Sequence, residues 1–187
     1  MEHIYQKIQG WFTFQVLYSE IVSNLKDDSH IVEVGSWKGA SASYMAVEIL
    51  NSGKKIKFDC VDTWNGSEEH INPLSNFYEP LLATHDGLFN KFLENIDPIR
   101  SVISPIRSTS SEAAATYNDE SLDFVFIDAS HDYDNVCNDI LKWYPKVKIG
   151  GILAGHDYNH PPVRRAVDDN LKNVISRPHE LVWTHKK

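Results

Sequence analysis

Apolar residues along the chain recur with two alternating spacings, which predict strands that alternate with helices. Short runs rich in β-branched and aromatic residues predict strands at residues 30–34, 56–61, 101–106, 122–127 and 150–154. Stretches with apolar residues on one helical face predict helices at residues 39–51, 109–117, 133–144 and 162–173. Nearly continuous apolar strands separated by helices are typical of a mostly parallel sheet with helices on both faces, so we expect an α/β fold.

The two ends of the chain follow other patterns. Apolar residues at helical spacing over residues 4–26 predict an amphipathic helix within an N-terminal segment, residues 1–27. The last stretch, VISRPHELVWTHKK, is compatible with two short strands around a turn at Pro178 or with one strand and a tail. At this length, all of these elements are expected to form a single domain, residues 1–187.

One long segment, residues 63–98, interrupts the alternation. It is too long for a simple loop, so it must hold structure of its own, and the pattern favours a helix near residues 84–95. In doubly wound sheets, ligands bind beyond the carboxyl ends of the strands. The segment leaves from such an end, and we therefore expect this insertion to be a lid or a wall of an acceptor site.

Composition narrows the class of protein. The hydrophobic fraction of 42% allows a sizeable core, and the net charge of −8 argues against a general nucleic-acid-binding protein, which needs a basic surface. No apolar run approaches the ~20 residues of a membrane-spanning helix, so we expect no membrane partner. Cys60 and Cys137 form no disulfide or metal-binding pattern and are expected to be free buried thiols. The N-terminal residues do not resemble a signal peptide, which predicts a cytoplasmic protein.

The first candidate site is the stretch VEVGSWKGAS, where the first sheet strand meets a helix. Gly35 and Gly39 would let the backbone pass close to a ligand at a helix N-terminus. The pattern E-x-G-x-x-x-G differs from the glycine patterns of dinucleotide- and phosphate-binding loops, and Glu33 would attract a cationic ligand and repel phosphate. Ser36 and Ser41 belong to the same predicted cofactor site. The alternative is a tight turn between strand and helix without a ligand.

Polar residues follow the second and third predicted strands. Asp62 ends the second strand, where a carboxylate can accept both hydroxyls of a ribose, although it can also merely cap a turn. Thr63 follows it directly and is included in the predicted cofactor site. Ser108 begins the stretch STSSEAAATY, where contact with an adenine and plain capping of the next helix, by Ser110 or Ser111, remain alternatives.

The fourth and fifth predicted strands also end in polar residues. Asp128 ends the run FVFID, and His131 follows three positions later. His156 and Asp157 follow the fifth strand in the stretch AGHDY. Because consecutive strands are usually neighbours in a sheet, we expect these side chains at one rim. Neighbouring polar residues suffice to cap the following helix; the alternative for Asp128 is that it only accepts hydrogen bonds from loop amides.

The order of these four motifs resembles that of class I S-adenosylmethionine-dependent methyltransferases. More narrowly, the D-x-x-H-x-Y ending of the fourth strand is similar to small-molecule O-methyltransferases of the macrocin and cephalosporin-biosynthesis type, and the resemblance covers residues 30 to about 170. It implies a Rossmann-like, doubly wound, mostly parallel seven-stranded sheet with one antiparallel strand near the C-terminus. It also implies that Glu33, Gly35 and Gly39 surround the methionine part of the cofactor and that Asp62 binds its ribose.

The resemblance also assigns chemistry to the fourth and fifth strand ends. In metal-dependent members of the group, acidic residues at these two positions hold a cation, and a histidine three residues after the first can act as the base. Asp128, which would also contact the cofactor, and Asp157 match the two ligands, and His131 matches the base. His156 stands where those enzymes have a second acidic or amide ligand and would be a further metal ligand here. This departure leaves open both a site for Mg²⁺ or another divalent cation and a metal-free site.

Together these features predict transfer of a methyl group from S-adenosylmethionine to a small-molecule acceptor, with a hydroxyl oxygen as its target and His131 and Asp128 as catalytic residues. Two alternatives stay open: a non-catalytic relative that binds S-adenosylmethionine, and a nicotinamide-dependent oxidoreductase, against which the missing G-x-G-x-x-G pattern counts. His70 and His85 of the insertion could reach an acceptor or be ordinary surface residues. The aromatic stretch GWFTF near the N-terminus could pack against a second copy of the chain and form a homo-oligomer.

Overall fold

Seven strands form one sheet in the computed structural model, which describes residues 1–187 apart from the side chain of residue 68. The strands are β1 (His30–Val34), β2 (Lys57–Asp62), β3 (Ile103–Arg107), β4 (Leu122–Ile127), β5 (Val147–Gly155), β6 (Ile175–Arg177) and β7 (Val182–Lys186). Their spatial order is β3-β2-β1-β4-β5-β7-β6, and β7 runs antiparallel to both of its neighbours. The predicted mostly parallel, doubly wound sheet is confirmed, and the C-terminal residues adopt the two-strand alternative. Because the strand order reverses between β1 and β4, the loops after these strands diverge and open a crevice.

The described residues form seven α-helices, six of which pack against the two faces of the sheet, while the short helix Glu68–Ile71 lies within the insertion. They are α1 (Gln15–Asn24), α2 (Ala40–Ser52), α3 (Glu68–Ile71), α4 (Gly87–Ile96), α5 (Ser110–Ala115), α6 (Tyr133–Trp143) and α7 (Pro161–Asn170). The four helices predicted from the apolar spacing, α2, α5, α6 and α7, are confirmed within a few residues. The helix predicted near residues 84–95 is α4, so the insertion does hold structure of its own.

The prediction of an N-terminal helix over residues 4–26 is wrong in its first half. A single 3₁₀ turn, Tyr5–Lys7, is followed by irregular chain up to α1. Gly10 disfavours a helix in this stretch, and the rings of Phe12 and Phe14 pack edge-on, with centres 4.8 Å apart. The irregular chain therefore runs along the pocket described below instead of continuing the helix.

Two apolar cores lie on opposite faces of the sheet, because successive side chains of a strand point to opposite sides. The neighbouring residues Val125 and Phe126 of β4 show this division. Phe126 packs with α1, α2 and α4, and Val125 packs with α5, α6 and α7. Both cysteines are free; Cys60 is buried as expected, whereas Cys137 is only half-buried. Every helix in the described part of the chain is too short or too polar to cross a membrane.

The insertion folds back onto the loop between β1 and α2. A Cβ added at Gly39 would lie 3.1 Å from Ile96 of α4, so the small residue makes room for that helix. The side-chain amide of Asn95 donates to the carbonyl of Lys38 at 2.9 Å. The ammonium of Lys38 in turn pairs with Glu79 of the insertion. These contacts hold the insertion beside the carboxyl ends of the strands.

Candidate active site

The carboxyl ends of the first five strands open into one pocket of about 630 Å³, a volume typical of ligand sites. Most of the residues predicted for the site line it: Gly35, Ser36, Ser41, Asp62, Thr63, Ser108, Asp128, His131, His156 and Asp157. Glu33 and Gly39 are buried next to this lining. The fold therefore brings four motifs that are far apart in the sequence into one cavity.

The loop after β1 requires glycine at its first position. Gly35 has a φ of +92°, and a Cβ added there would lie 1.9 Å from the carbonyl oxygen of Asp128. Two hydrogen bonds of 2.8 Å hold this close approach, from the Gly35 amide to Val61 and from the Asp128 amide to Val34. The loop backbone is thereby left open to the pocket, as expected where a ligand approaches closely. Gly39 instead precedes α2 and packs under α4, so its contact with a cofactor stays a prediction.

Glu33 is buried below the loop, and part of its carboxylate is unpaired. The Tyr18 hydroxyl donates to Oε2 at 2.7 Å, whereas Oε1 has no hydrogen-bond partner among the described residues. Burial raises the pKa of Glu33 to about 7. The hydroxyl of Ser36, which lines the pocket, is also buried without a partner in the described chain. Because unpaired buried polar atoms are costly, these two groups fit a ligand that brings a polar, cationic group to the loop.

Asp62 presents its carboxylate to the pocket from the end of β2. Its Oδ2 accepts a hydrogen bond from the Trp37 amide at 2.8 Å, and its Oδ1 accepts one from the Trp64 amide at 2.7 Å. These bonds orient the carboxylate, while each oxygen keeps a lone pair for a further donor. Burial raises the pKa of Asp62. The arrangement fits a ligand with two adjacent hydroxyls, and Thr63 lines the pocket beside it.

The stretch after β3 contains both a helix cap and a pocket residue. The predicted cap at Ser110 or Ser111 is wrong, because Thr109 is the N-cap of α5. Thr109 forms a capping box with Glu112, in which each side chain accepts from the backbone amide of the other residue. Ser108 lies one position earlier and lines the pocket. Its contact with an adenine stays a prediction that this placement allows.

The ends of β4 and β5 bring four ionisable side chains together. His131 Nε2 lies 3.0 Å from Asp157 Oδ2. His156 Nδ1 lies 3.1 Å from the same oxygen and 3.6 Å from Asp128 Oδ1. The hydrogen bond to Asp157 is the main cause that raises the pKa of His131. Asp132 caps α6, so the strand-to-helix turn does not need any of these four residues.

His156 is held in one orientation by the N-terminal segment. The Thr13 hydroxyl donates to the carbonyl of Glu180 at 2.8 Å, so it accepts a hydrogen bond from His156 Nε2 at 2.9 Å. With Nε2 protonated, Nδ1 faces the carboxylates of Asp128 and Asp157. Burial opposes a charge on His156, but the two carboxylates outweigh burial and raise its pKa to about 10. His156 thus places a positive charge between the two acids.

The same rim fits a divalent cation. One oxygen of Asp128, one oxygen of Asp157 and a ring nitrogen of His131 lie within 4.8 Å of one another. Two carboxylates and an imidazole form a donor set that binds divalent ions. The nitrogen in this group belongs to His131, whereas the sequence assigned metal binding to His156 and only the role of base to His131. His156 contacts the same carboxylates through Nδ1, where it would have to lose a proton to bind a metal.

Other pocket residues carry no motif, so reasoning from the sequence misses them. Trp11 and Thr13 line the pocket from the irregular segment before α1. His70 and His85 of the insertion were both named from the sequence as residues that could reach an acceptor; His70 lines the pocket, whereas the side chain of His85 is 96% exposed outside it. The aromatic stretch GWFTF is the one sequence feature that draws attention to Trp11. Its pattern, however, suggested a contact with a second copy of the chain and not a place in the pocket. Phe14 of this stretch is fully buried within the chain itself.

A family model described as a methyltransferase domain matches residues 32–158 of this chain. Two curated relatives are also similar, and both are uncharacterized. One, from Sinorhizobium fredii, is 26% identical over 127 residues, with 68% of this chain but 13% of that protein covered. The other, from Acanthamoeba polyphaga mimivirus, is 29% identical over 173 residues, with 84% of this chain and 68% of that protein covered. The chain therefore spans only a small part of the first relative.

Solved structures share the fold of this chain at low sequence identity. The O-methyltransferase NovP has a TM-score of 0.68 and 18% identity, with 94% of this chain and 80% of NovP covered. A proposed rRNA methylase from Clostridium thermocellum has a TM-score of 0.62 and 8% identity, with 95% of this chain and 97% of that protein covered. Fibrillarin from Aeropyrum pernix was solved with natively bound S-adenosyl-L-methionine. It has a TM-score of 0.54 and 12% identity, with 91% of this chain and 73% of fibrillarin covered. At these identities the likeness shows a shared fold and leaves the methyl acceptor open.

Proposed function

Because this chain belongs to the methyltransferase domain family and has the fold of class I S-adenosylmethionine-dependent methyltransferases, we propose that it transfers a methyl group from S-adenosylmethionine to a hydroxyl oxygen of a small molecule. One observation carries the proposal: the glycine loop and Asp62 share a single pocket with Asp128, His131 and Asp157. Cofactor-binding and reacting groups thus meet beyond the carboxyl ends of the strands, where open α/β sheets bind ligands.

The cofactor is assigned to the half of the pocket formed by the ends of β1, β2 and β3. S-adenosylmethionine supplies a methyl group on a cationic sulfur and carries no phosphate, which suits an acidic site. Glu33 and the Ser36 hydroxyl would bind its amino group, and the backbone at Gly35 would approach its methionine part. Asp62 would accept the ribose hydroxyls, and Ser108 would lie near the adenine.

His131 is proposed as the base that takes the acceptor's proton. Its Nε2–H donates to Asp157 across 3.0 Å, which leaves Nδ1 to accept a proton. The same hydrogen bond raises the pKa of His131 and makes the imidazole a stronger base. The acceptor oxygen forms a bond to the methyl carbon as the carbon–sulfur bond breaks, and the bonding electron pair stays on sulfur. The hydroxyl proton passes to His131, and Asp128 borders the reacting groups from the end of β4.

A divalent cation is a second arrangement, supported by the cluster of Asp128, His131 and Asp157. These three residues would hold the ion, which would lower the pKa of an acceptor hydroxyl. An imidazole ligand suits a transition-metal ion such as Mn²⁺ better than Mg²⁺, which prefers oxygen ligands. In this arrangement His131 is a ligand and not the base, so metal dependence distinguishes the two arrangements.

The acceptor is proposed to be a small molecule and not a nucleic acid. No lysine or arginine lines the pocket in the part of the chain that is described, and the net charge is −8. Recognition of a phosphate backbone relies on such cations. The insertion, residues 63–98, and the segment before α1 both contribute side chains to the pocket, and we assign the acceptor wall to them.

Calorimetric titration with S-adenosylmethionine and with NAD tests the cofactor. We expect S-adenosylmethionine to bind and NAD not to bind, and Asp62→Ala should lose the binding while circular dichroism reports an intact fold. Binding of NAD alone would favour the oxidoreductase alternative. A screen of small-molecule hydroxyl compounds with a radiolabelled methyl donor then tests transfer. Cofactor binding without transfer to any hydroxyl compound would favour the non-catalytic relative.

Removal of divalent cations by chelation distinguishes the metal-free arrangement, with His131 as the base, from the arrangement with a bound cation. His156 Nδ1 already lies within 3.6 Å of both carboxylates, so we expect methyl transfer to survive dialysis against EDTA. Loss of activity after chelation, with recovery on addition of Mn²⁺, would instead establish the cation and reassign His131 as a ligand.

A further inference from the structure

Four aromatic side chains line one side of the pocket, and we name them the aromatic wall: Trp11, Trp37, His70 and Phe77. The ring centres of Trp11 and Phe77 lie 5.7 Å apart, and those of Trp11 and Trp37 lie 6.3 Å apart. The ring centres of Trp37 and His70 lie 4.4 Å apart. These are distances of interacting aromatic rings. The wall is therefore one continuous aromatic surface, built from the segment before α1, the loop after β1 and the insertion.

The aromatic wall is open to solvent although its residues are large. Trp11 is 52% exposed and Phe77 is 47% exposed. Aromatic side chains that are grouped in a concave site and left exposed are typical of ligand-binding surfaces. The indole nitrogen of Trp37 is buried without a hydrogen-bond partner among the described residues. A ligand with an acceptor atom at this position would satisfy that donor.

The aromatic wall adjoins the reacting end of the pocket. His70 of the wall and His131 line the same pocket, and the ring of His70 contacts that of Trp37. The residues assigned to the cofactor's ribose and adenine, Asp62 and Ser108, come from the ends of β2 and β3. None of the four wall side chains is among the groups assigned to the cofactor, so a ring that stacks on them leaves those groups to S-adenosylmethionine.

The charges near the wall discriminate between acceptors. Glu69, Asp128 and Asp157 line the pocket, and no lysine or arginine does so within the described residues. The ammonium of Lys38 lies 5.9 Å from the Trp37 ring centre, but it is buried and paired with Glu79. The positive charge of His156 is already paired with Asp128 and Asp157, so an anionic acceptor would meet acidic groups without a free basic partner, which disfavours it. A cationic acceptor would gain from the same carboxylates and from the aromatic faces.

We propose that the methyl acceptor is an aromatic hydroxyl compound, neutral or cationic, whose ring stacks on the aromatic wall with Trp11 as a specificity-determining residue. The inference rests on the proposed methyl transfer and adds the class of acceptor to it. Transfer joins the methyl carbon to the phenolic oxygen, breaks the carbon–sulfur bond and passes the phenolic proton to His131. The products are an aryl methyl ether and S-adenosylhomocysteine.

Three catechols that share one ring and differ in side-chain charge test the proposal: dopamine, which is cationic, 4-methylcatechol, which is neutral, and 3,4-dihydroxyphenylacetate, which is anionic. Calorimetry measures their affinity for the protein loaded with S-adenosylhomocysteine, and a labelled methyl donor measures transfer. We expect the neutral and cationic probes to bind and to accept methyl groups, and the anionic probe to bind about tenfold more weakly or worse. Equal affinity for the anion, or no binding of any of the three, would overturn the proposal.

Variants of Trp11 test the stacking contact. Trp11→Ala should weaken binding of 4-methylcatechol by about tenfold, whereas Trp11→Phe should keep most of the affinity. Leu74→Ala is the matched control, because Leu74 lies in the insertion and is 94% exposed outside the pocket lining. Unchanged affinity for S-adenosylhomocysteine and an unchanged unfolding temperature exclude a loss of fold. If Trp11→Ala behaves like the control, the stacking contact does not exist.

Variants of Glu69 test the exclusion of anions. Glu69→Gln should raise the affinity for 3,4-dihydroxyphenylacetate relative to 4-methylcatechol, and Glu94→Gln is the control, since the side chain of Glu94 is 70% exposed outside the pocket. An unchanged ratio in Glu69→Gln would contradict the electrostatic part of the inference. If the protein does not bind S-adenosylhomocysteine, the proposed function itself is wrong. A protein that binds it and methylates acceptors regardless of charge and of Trp11 fails only the inference about the acceptor.

Discussion

We expect the buried carboxylate at the end of β1 to make binding of a cationic cofactor depend on pH. Glu33 is 1% exposed and accepts one hydrogen bond from Tyr18, and burial raises its pKa to about 7. Near neutral pH the residue is therefore divided between a neutral and an ionised form. A cationic ligand stabilises the ionised form, so its binding lowers the pKa of Glu33 and releases a proton.

The affinity for S-adenosylmethionine should rise as the pH increases toward 7 and level off above it. Below the pKa of about 7 the carboxyl must lose its proton before it can attract the ligand, whereas above that pKa it is already ionised. Calorimetric titrations across this range measure the effect. Glu33→Gln should bind more weakly and remove the pH dependence. A wild-type affinity that is constant over the range would rule out contact between the cofactor and Glu33.

The two histidines at the rim have different partners and so different roles. His156 uses both ring nitrogens, one on Thr13 and the other on the carboxylates. His131 contacts Asp157 through Nε2, and its side chain is 43% exposed to the pocket. A base needs one free nitrogen within reach of the acceptor. His131 meets this requirement, and His156 does not.

His131→Ala should lower kcat about 10²- to 10⁴-fold, the usual contribution of a general base. The affinity for S-adenosylmethionine should hardly change, because the cofactor is assigned to residues of β1, β2 and β3. Turnover with a labelled methyl donor and calorimetry measure the two quantities. His85→Ala serves as the control, since that side chain is 96% exposed outside the pocket. Survival of turnover in His131→Ala would remove the base assignment.

At the level of elements, one buried ion pair joins three segments around the pocket. Lys38 of the loop after β1 pairs with Glu79 of the insertion and donates to Gln9 before α1 at 2.6 Å. Lys38 and Glu79 are each 8% exposed. A buried charge that loses its partner is strongly destabilising, whereas the pair itself can be close to neutral. Removal of one partner of this ion pair should therefore destabilise the contact between the insertion and the loop more than the intact pair stabilises it.

Lys38→Met should lower the free energy of unfolding by about 3 kcal/mol, because the Glu79 carboxylate is left buried and unpaired. The double variant Lys38→Met with Glu79→Gln should recover much of that loss. Urea unfolding measures the stability, and faster hydrogen exchange in the insertion would show that its docking is weakened. The exposed pair of Lys91 and Glu94 provides the control, since Lys91→Met should change stability by less than about 1 kcal/mol. If Lys38→Met and Lys91→Met lowered the free energy of unfolding by the same amount, the buried pair would have no special structural role.

At the level of the whole molecule, the antiparallel strand β7 is an internal strand of the sheet. It lies between β5 and β6, so its backbone is paired on both sides. Trp183 of this strand is 1% exposed and packs against β5, where a Cβ added at Gly155 would lie 2.6 Å from its ring. The C-terminal residues thus belong to the central structure of the domain.

Trp183→Ala should lower the free energy of unfolding by about 3–5 kcal/mol, as is usual when a large buried aromatic side chain is removed. Chemical denaturation followed by circular dichroism measures the loss. Ile175→Ala on the neighbouring strand β6 should have an effect within about 0.5 kcal/mol, because Ile175 is 66% exposed. A small effect of Trp183→Ala would mean that β7 is peripheral to stability.

Prediction from the sequence was most accurate where a segment's pattern is self-contained. Strands β1 and β4 begin and end at the predicted residues, because their apolar runs are bounded by polar residues and glycine. The N-terminal helix was overextended, since Phe14 packs into a tertiary core that a local pattern does not reveal. The cap of α5 was misplaced by one or two residues, because neighbouring hydroxyl residues can all cap a helix and side-chain geometry selects Thr109.

The sequence by itself determined the alternating fold, the order of the motifs and the placement of polar residues at the carboxyl ends of the strands. Hydrophobic periodicity and glycine or carboxylate positions suffice for this, since both act over short stretches of chain. Only the tertiary structure decided that His131 completes a three-residue donor set with the two carboxylates while His156 forms ion pairs with both of them, and that Trp11 lines the pocket. These relations depend on contacts between residues far apart in the chain, such as Thr13 with His156, and on loops whose paths have no repeating pattern.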